Sequence, residues 1–195
     1  MVCSTVPGEG KSTLAGSLAA SGAQASKKVL LIDGDLRNPS TSNRFNLGKR
    51  PGLVELLSGA APAAETFVRP GDMPFTILPA GRHTTNPTDV ISSQKMAQLL
   101  RGLAQEYDLV VIDCPPLLAV SDGLLMANLV DSIVYVVEWN RTARDAVKRA
   151  MNMLDFNRDK VAGVVLNKVD AARMRTYSYY GEYYGYGYDK YYAKS

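Results

Sequence analysis

The chain predicts an α/β fold in which a mostly parallel sheet is flanked by helices. Three stretches carry that reading. The first is a glycine-rich turn between an apolar lead-in and a helix, Ser4-Thr-Val-Pro-Gly-Glu-Gly-Lys-Ser-Thr13. The other two are continuously apolar segments that each end in aspartate, Val29-Leu-Leu-Ile-Asp33 and Leu109-Val-Val-Ile-Asp113. A strand covered by helices on both faces has no polar side to alternate with, so an unbroken apolar run suits the interior of such a sheet.

The glycine-rich turn has the chemistry of a phosphate-binding loop. Gly8 and Gly10 remove side chains where backbone N–H groups must close on phosphate oxygens, Lys11 supplies a cation, and Ser12 can hold magnesium. Pro7, Gly8, Glu9, Gly10, Lys11, Ser12 and Thr13 are therefore the candidate nucleotide contacts, and a triphosphate is the implied ligand. The strict motif asks for glycine five residues before Gly10, where this chain has Thr5. An ordinary glycine-rich turn is the competing reading, and the two Asp-ended strands argue against it. In a parallel sheet the carboxyl ends of strands line the ligand crevice, which places Asp33, Asp35 and Asp113 beside the loop. Together these pieces are a strong signal for a P-loop NTPase, a fold shared with the partition-type ATPases, that binds a nucleoside triphosphate with Mg2+. Asp113, followed by Cys-Pro-Pro116, has the form of a Walker B carboxylate that reaches the magnesium shell.

With 195 residues the chain suits one well-buried domain. No apolar run is long enough to span a bilayer and no leader precedes the loop, so a cytoplasmic setting is expected. Met1-Val-Cys-Ser4 is only the tail of a strand, which suggests that this is a portion of something longer. Cys3 and Cys114 lack metal-ligand spacing and read as small core residues. The net charge of +3 is too small and dispersed for nucleic acid.

In chain order, Leu14, Ala15, Leu18 and Ala19 mark a helix of small residues after the loop, ending between Gly22 and Lys28. Residues 40 to 91 are less regular: a short helix over Pro51–Ser58, a strand over Phe75–Pro79 and a loop over Gly81–Asp89 that holds the single histidine, His83. Ser92 or Ser93 caps a helix with an apolar face of Met96, Leu99, Leu100, Leu103 and Tyr107. Ser121–Val130 reads as a helix and Ser132–Val137 as a buried strand. Thr142-Ala-Arg-Asp145 opens a further helix as a capping box, with Ala146, Val147, Ala150, Met151 and Leu154 as its buried stripe. A last strand, Val161–Leu166, ends in Asn167-Lys-Val-Asp170. That tetrapeptide has the form of the guanine-reading motif of GTPases, but Cys-Pro-Pro replaces their Asp-x-x-Gly switch, so Asn167 is read as an adenine contact.

Composition changes after Asp170, which divides the chain into a domain at 1–170 and a tail at 171–195. The tail holds nine of the eleven tyrosines: Tyr177, Tyr179, Tyr180, Tyr183, Tyr184, Tyr186, Tyr188, Tyr191 and Tyr192. It has neither strand nor helix periodicity, so a flexible segment outside the fold is expected. Beside a nucleotide site, these tyrosines are candidate phosphoryl acceptors.

Taken together, the motifs resemble those of the bacterial tyrosine kinases, autokinases that control capsular and exopolysaccharide export. Ser-Thr-Val-Pro-Gly-Glu-Gly-Lys-Ser is similar to their Walker A, Leu-Leu-Ile-Asp-Gly-Asp-Leu-Arg-Asn-Pro to their second Asp motif, and Val-Val-Ile-Asp-Cys-Pro-Pro to their Walker B. The likeness runs through Leu78–Gly81, Asn86–Ser93 and Val164–Asp170 into the tyrosine tail. It implies that Lys11 and Thr13 contact phosphates, that Ser12, Asp35 and Asp113 hold Mg2+, and that Asp33 takes the tyrosine proton. It also implies homo-oligomers, a tyrosine phosphatase and a membrane activator or polysaccharide co-polymerase portion in the same or a separate chain. The family's oligomerisation motif before Walker A does not occur in this sequence. Two other readings stay open at this level. One is a partition or septum-positioning ATPase, whose signature lysine is Val6 here; the other is a non-catalytic nucleotide-binding scaffold.

Overall fold

The computed structural model describes residues 1–82, 84–171 and 173. Six strands form one parallel sheet: β1 (Val2–Ser4), β2 (Val29–Asp33), β3 (Thr76–Leu78), β4 (Leu109–Asp113), β5 (Ile133–Glu138) and β6 (Val161–Asn167). Their spatial order is β3-β2-β4-β1-β5-β6. The connecting helices are α1 (Lys11–Gln24), α2 (Ser40–Arg44), α3 (Leu53–Ser58), α4 (Ala63–Thr66), α5 (Pro87–Ser92), α6 (Gln94–Glu106), α7 (Asp122–Ala127) and α8 (Arg144–Met153).

The apolar run of β2 does what its composition predicts, whereas β4 is fully buried only from Val111 onward and leaves Leu109 exposed at 37%. All five residues of β2 are buried, and alternate side chains feed two cores. Leu30 and Ile32 join Cys3, Ile112 and Tyr135 on one face, packed under α3, α6 and α7. Val29 and Leu31 join Val2, Val111 and Val136 on the other, against Ala15 and Ala19 of α1. Those alanines let α1 lie close to the sheet. Both cysteines are core residues with no exposed surface, as their sequence context implied. Thr5, the residue at which the strict loop motif fails, is buried too, its hydroxyl 2.7 Å from the Tyr135 hydroxyl. The departure from glycine is thus a packed, hydrogen-bonded contact between the start of the loop and β5.

Several boundaries differ from the sequence expectation for local reasons. Asn86-Pro87 starts α5 inside the segment read as a loop, because proline at the first helical position is pre-set for the turn. Of Ser121–Val130 only Asp122–Ala127 is helical. Short α2 and α4 had no periodic signal to announce them. Ser93 does cap α6, accepting from Met96 N at 3.1 Å. The Thr142 capping box does not form: α8 starts after Ala143 without a side-chain cap, because the Thr142 hydroxyl is committed to Glu9. His83 and the nine tail tyrosines lie outside the described residues. At the far edge, β6 leaves Val164 and Leu166 exposed at 55% and 47%.

The Thr5–Tyr135 pair yields a stability prediction. Tyr135→Phe strands a buried threonine hydroxyl and should lower unfolding free energy by about 1–3 kcal/mol, read from the urea midpoint; an unchanged midpoint would show that the pair contributes nothing.

Candidate nucleotide site

The site grows from the strand order. Inserting β4 between β2 and β1 sets Asp33 directly opposite Asp113 in the parallel register, with Gly34 N donating to Asp113 O at 2.8 Å. From β1 the chain enters the loop, where Gly8 (φ 88) and Gly10 (φ 96) take the left-handed conformation that glycine alone adopts without strain. A Cβ at Gly10 would also collide with the Asn167 carboxamide. Gly10 precedes the 14-residue helix α1 and offers no side-chain cap, so the first N–H groups of the helix face outward. They open on a cavity of about 300 Å³ lined by Pro7, Gly8, Gly10, Lys11, Ser12 and Thr13 on one side. Asp35, Arg37 and the Pro115-Pro116 turn form its other walls.

Lys11 is the centre of the site's electrostatics. Its Nζ lies 3.2 Å from Asp35 Oδ2, 3.4 Å from Asp113 Oδ1 and 3.3 Å from Ser12 Oγ. Burial works against the charged ammonium, but the Asp113 and Asp35 carboxylates outweigh it and hold the lysine above its ordinary pKa. The second oxygen of Asp113 accepts from Thr41 Oγ1 at 2.8 Å. Three hard oxygens therefore converge on one cationic point at the mouth of the phosphate loop. This donor set fits Mg2+, which uses one or two carboxylates and keeps much of its water. Among the described residues no three His, Cys, Asp or Glu side chains form a closed metal cage; a magnesium site of this kind requires none.

Asp33 stands behind this cluster. It is fully buried, with Oδ2 accepting from Ser42 N and Ser42 Oγ, both at 2.7 Å, and Oδ1 accepting from Asp35 N at 3.3 Å. Burial pushes its carboxyl up to about 7; the Ser42 hydrogen bonds oppose the rise and the neighbouring Asp113 adds to it. The cavity wall is formed by Asp35, not Asp33.

Two expected contacts occupy unexpected places. The Glu9 side chain points away from the cavity and is fully buried. Its carboxylate accepts from Val6 N at 2.8 Å, Glu138 N at 3.1 Å and Thr142 Oγ1 at 2.5 Å, and Glu9 does not line the cavity. Asn167 donates to Glu9 O at 2.8 Å, and Lys168 Nζ donates to Gly8 O at 2.6 Å. The Asn-Lys-x-Asp segment thus braces the loop from outside, and Asn167 does not line the cavity. Sequence reasoning missed Thr41 and Ser42, for which no motif exists, and it placed Thr142 in a capping box and Lys168 in the Asn-Lys-Val-Asp string without their contacts to Glu9 and Gly8. It also missed Arg37, whose Nε donates to Asp122 Oδ2 at 2.7 Å while its side chain lines the cavity. The Asp-Leu-Arg-Asn-Pro string was its only signal.

Fold and loop together define a P-loop nucleotide-binding domain. Residues 3–164 match the family described as an AAA domain. The chain is 34% identical over 181 residues to the tyrosine-protein kinase YwqD of Bacillus subtilis (strain 168), covering 93% of this chain and 76% of YwqD. It is 36% identical to the succinoglycan biosynthesis transport protein ExoP of Rhizobium meliloti (strain 1021), over all of this chain and 25% of ExoP. The kinase domain of the Escherichia coli tyrosine kinase ETK superposes with a TM-score of 0.82 at 32% identity, over 87% of this chain and 67% of that one. The septum site-determining protein MinD of Pyrococcus horikoshii superposes at 0.68 with 19% identity, over 90% of this chain and 76% of that one, a likeness of fold alone. The chain belongs to the bacterial tyrosine-kinase family.

Asp33 supplies a pH test. Its folded pKa lies above the unfolded value, so the folded state holds an extra proton between the two, and stability is lost as pH rises from about 4 through 7. An asparagine side chain in its place cannot ionise. The stability of Asp33→Asn relative to the parent should therefore improve between about pH 5 and about pH 8; urea titrations showing the same difference at both would contradict the buried-carboxyl account.

Proposed function

We propose that this chain is an ATP-dependent protein-tyrosine kinase that phosphorylates the tyrosines of its own C-terminal segment, within machinery that polymerises or exports polysaccharide. The observation that carries this reading is the convergence of Ser12, Asp35 and Asp113 on the Lys11 ammonium beside an open phosphate loop. Phosphoryl transfer asks mainly for alignment and charge neutralisation. The loop amides and the first turn of α1 would hold the phosphates, and Lys11 would move from its carboxylates to the more strongly charged phosphate oxygens. Ser12, Asp35 and Asp113 would hold magnesium, which would supply positive charge against the phosphates.

A tyrosine hydroxyl has a pKa of about 10, so it reaches the site protonated and needs an acceptor. Its oxygen bonds to the γ-phosphorus, the bond to the departing ADP oxygen breaks, and the proton passes to a carboxylate. Asp33 has the pKa suited to that task near neutrality, but its oxygens are held by Ser42 and Asp35 N. Asp35, on the cavity wall, is the first carboxylate an incoming hydroxyl meets, and Asp33 can take the proton only after Ser42 turns away. Asn167 would serve the adenine through the loop it braces rather than by direct contact.

The acceptors would be Tyr177, Tyr179, Tyr180, Tyr183, Tyr184, Tyr186, Tyr188, Tyr191 and Tyr192, delivered to the site of a second copy. No described helix is long and apolar enough to cross a membrane. The relationship to the transport protein ExoP supports a membrane co-polymerase partner for a cytoplasmic kinase domain. A homo-oligomer and an opposing tyrosine phosphatase complete the proposal.

Phosphatase-treated chain incubated with Mg2+ and ATP should gain a ladder of phosphate masses by intact mass spectrometry, and Lys11→Ala should gain none. When a tail-bearing Lys11→Ala chain is mixed with an active chain whose tail is deleted, phosphate should appear on the mutant's tail; an unlabelled tail would refute transfer between copies.

A further inference from the structure

Beyond the nucleotide site, the fold holds a second concave surface of different character. A groove of about 890 Å³ runs between the exposed face of β6 and the start of α8. Val164 and Leu166, two apart on the edge strand, and the half-buried Trp139 form an apolar floor. Arg141, Arg144 and Lys148 stand around it with one carboxylate, Glu138, among the lining residues. Glu138 is already matched by Lys168 at 3.1 Å and by Arg141 at 3.4 Å. Lys148 has only a long, exposed contact to Asp145 at 3.9 Å, and Arg144 makes no ion pair among the described residues. The groove thus pairs an aromatic-compatible floor with a surplus of cations.

We infer that this groove is the docking site for the phosphorylated C-terminal segment of the same chain. Six residues separate the end of β6 at Asn167 from residues 174–195, and the first tail tyrosine, Tyr177, is seven residues beyond Asp170, a reach of roughly 23 Å. That is enough to fold back along a strand that ends at Asn167. Charge decides which form of the tail fits. Unmodified, residues 174–195 carry Arg175, Lys190 and Lys194 against Glu182 and Asp189, a side-chain balance of +1 that the basic rim repels. Each phosphotyrosine adds about −1.5 to −2 charges and three strong acceptor oxygens. Arginine meets such a group with two parallel N–H donors, while the ring lies on the apolar floor. Docking therefore switches on with modification. The groove also touches the nucleotide loop: Thr142, one of its lining residues, donates to the Glu9 carboxylate that shapes the loop. A docked tail is withdrawn from any phosphate loop and sits one hydrogen bond from its own.

The inference rests on the reading that these tyrosines are phosphorylated, so the test installs phosphate without using the enzyme. A full-length Lys11→Ala chain is prepared by ligating a synthetic C-terminal segment with phosphotyrosine at Tyr184, Tyr186 and Tyr188, beside the same chain ligated with tyrosine. Amide hydrogen exchange over residues 141–148 and 161–167 should slow at least about tenfold in the phosphorylated chain, and Trp139, the single tryptophan, should change its emission. Arg144→Ala with Lys148→Ala should remove both effects. Equal exchange and emission in the two ligated chains would overturn the inference, and so would protection that grows with chain concentration, which would assign the groove to a neighbour's tail. Failure of the phosphate ladder in the parent chain would strike the kinase reading alone.

Discussion

Three carboxylates at the ends of two neighbouring buried strands set the terms for everything around them. Asp33, Asp35 and Asp113 could not share that space as bare charges, since each has lost its water and repels the others. The structure meets the cost in three ways. Lys11 lies between two of them, Ser42 and Thr41 lend hydroxyls, and the Asp35 backbone amide turns back on Asp33. Helix α2, which carries Thr41 and Ser42, is held in place by the carboxylates it serves. The same balance explains how the site can change hands: a cation stronger than the lysine can take its oxygens, provided that phosphates receive the lysine.

The phosphate loop is shaped largely from behind. Glu9 gathers Val6, Glu138 and Thr142, while Asn167 and Lys168 fasten the carbonyls of Glu9 and Gly8. Residues 129 to 160 positions away in sequence therefore determine the curvature of a short turn. Lys168 itself adopts a left-handed backbone (φ 55), a conformation of modest cost for a non-glycine residue, which aims its side chain back at the loop. Preorganisation of this kind leaves less ordering to be done when phosphate arrives.

Much of this was legible from residues alone, and the division is physical. Strand runs such as Val29–Asp33 and the Gly-Lys-Ser turn announce themselves because burial and phosphate chemistry restrict which residues can serve. Their order along the chain was enough to place Asp35 and Asp113 beside Lys11. What escaped depended on tertiary partners. Thr142 has a cap's spacing, yet a buried glutamate far off in sequence claims its hydroxyl. Glu9 reads as a ligand by position, and only the sheet shows that its side chain faces inward. Asp33 and Asp35 look equivalent two residues apart, and both are buried, yet the turn after β2 brings only Asp35 to the cavity wall. Short α2 and α4 offer no periodicity to read.

The two cysteines add a property unrelated to nucleotide. Cys3 and Cys114 sit at the middle of the sheet with no accessible surface, and burial pushes both thiols above their ordinary range, Cys3 to about 12. A thiol so placed is neither ionised nor reachable, and the thiolate is the reactive species. Thiol-directed reagents therefore cannot reach either cysteine until the central strands part. The rate at which either sulfur is labelled is a built-in clock for opening of the sheet, read without any added probe.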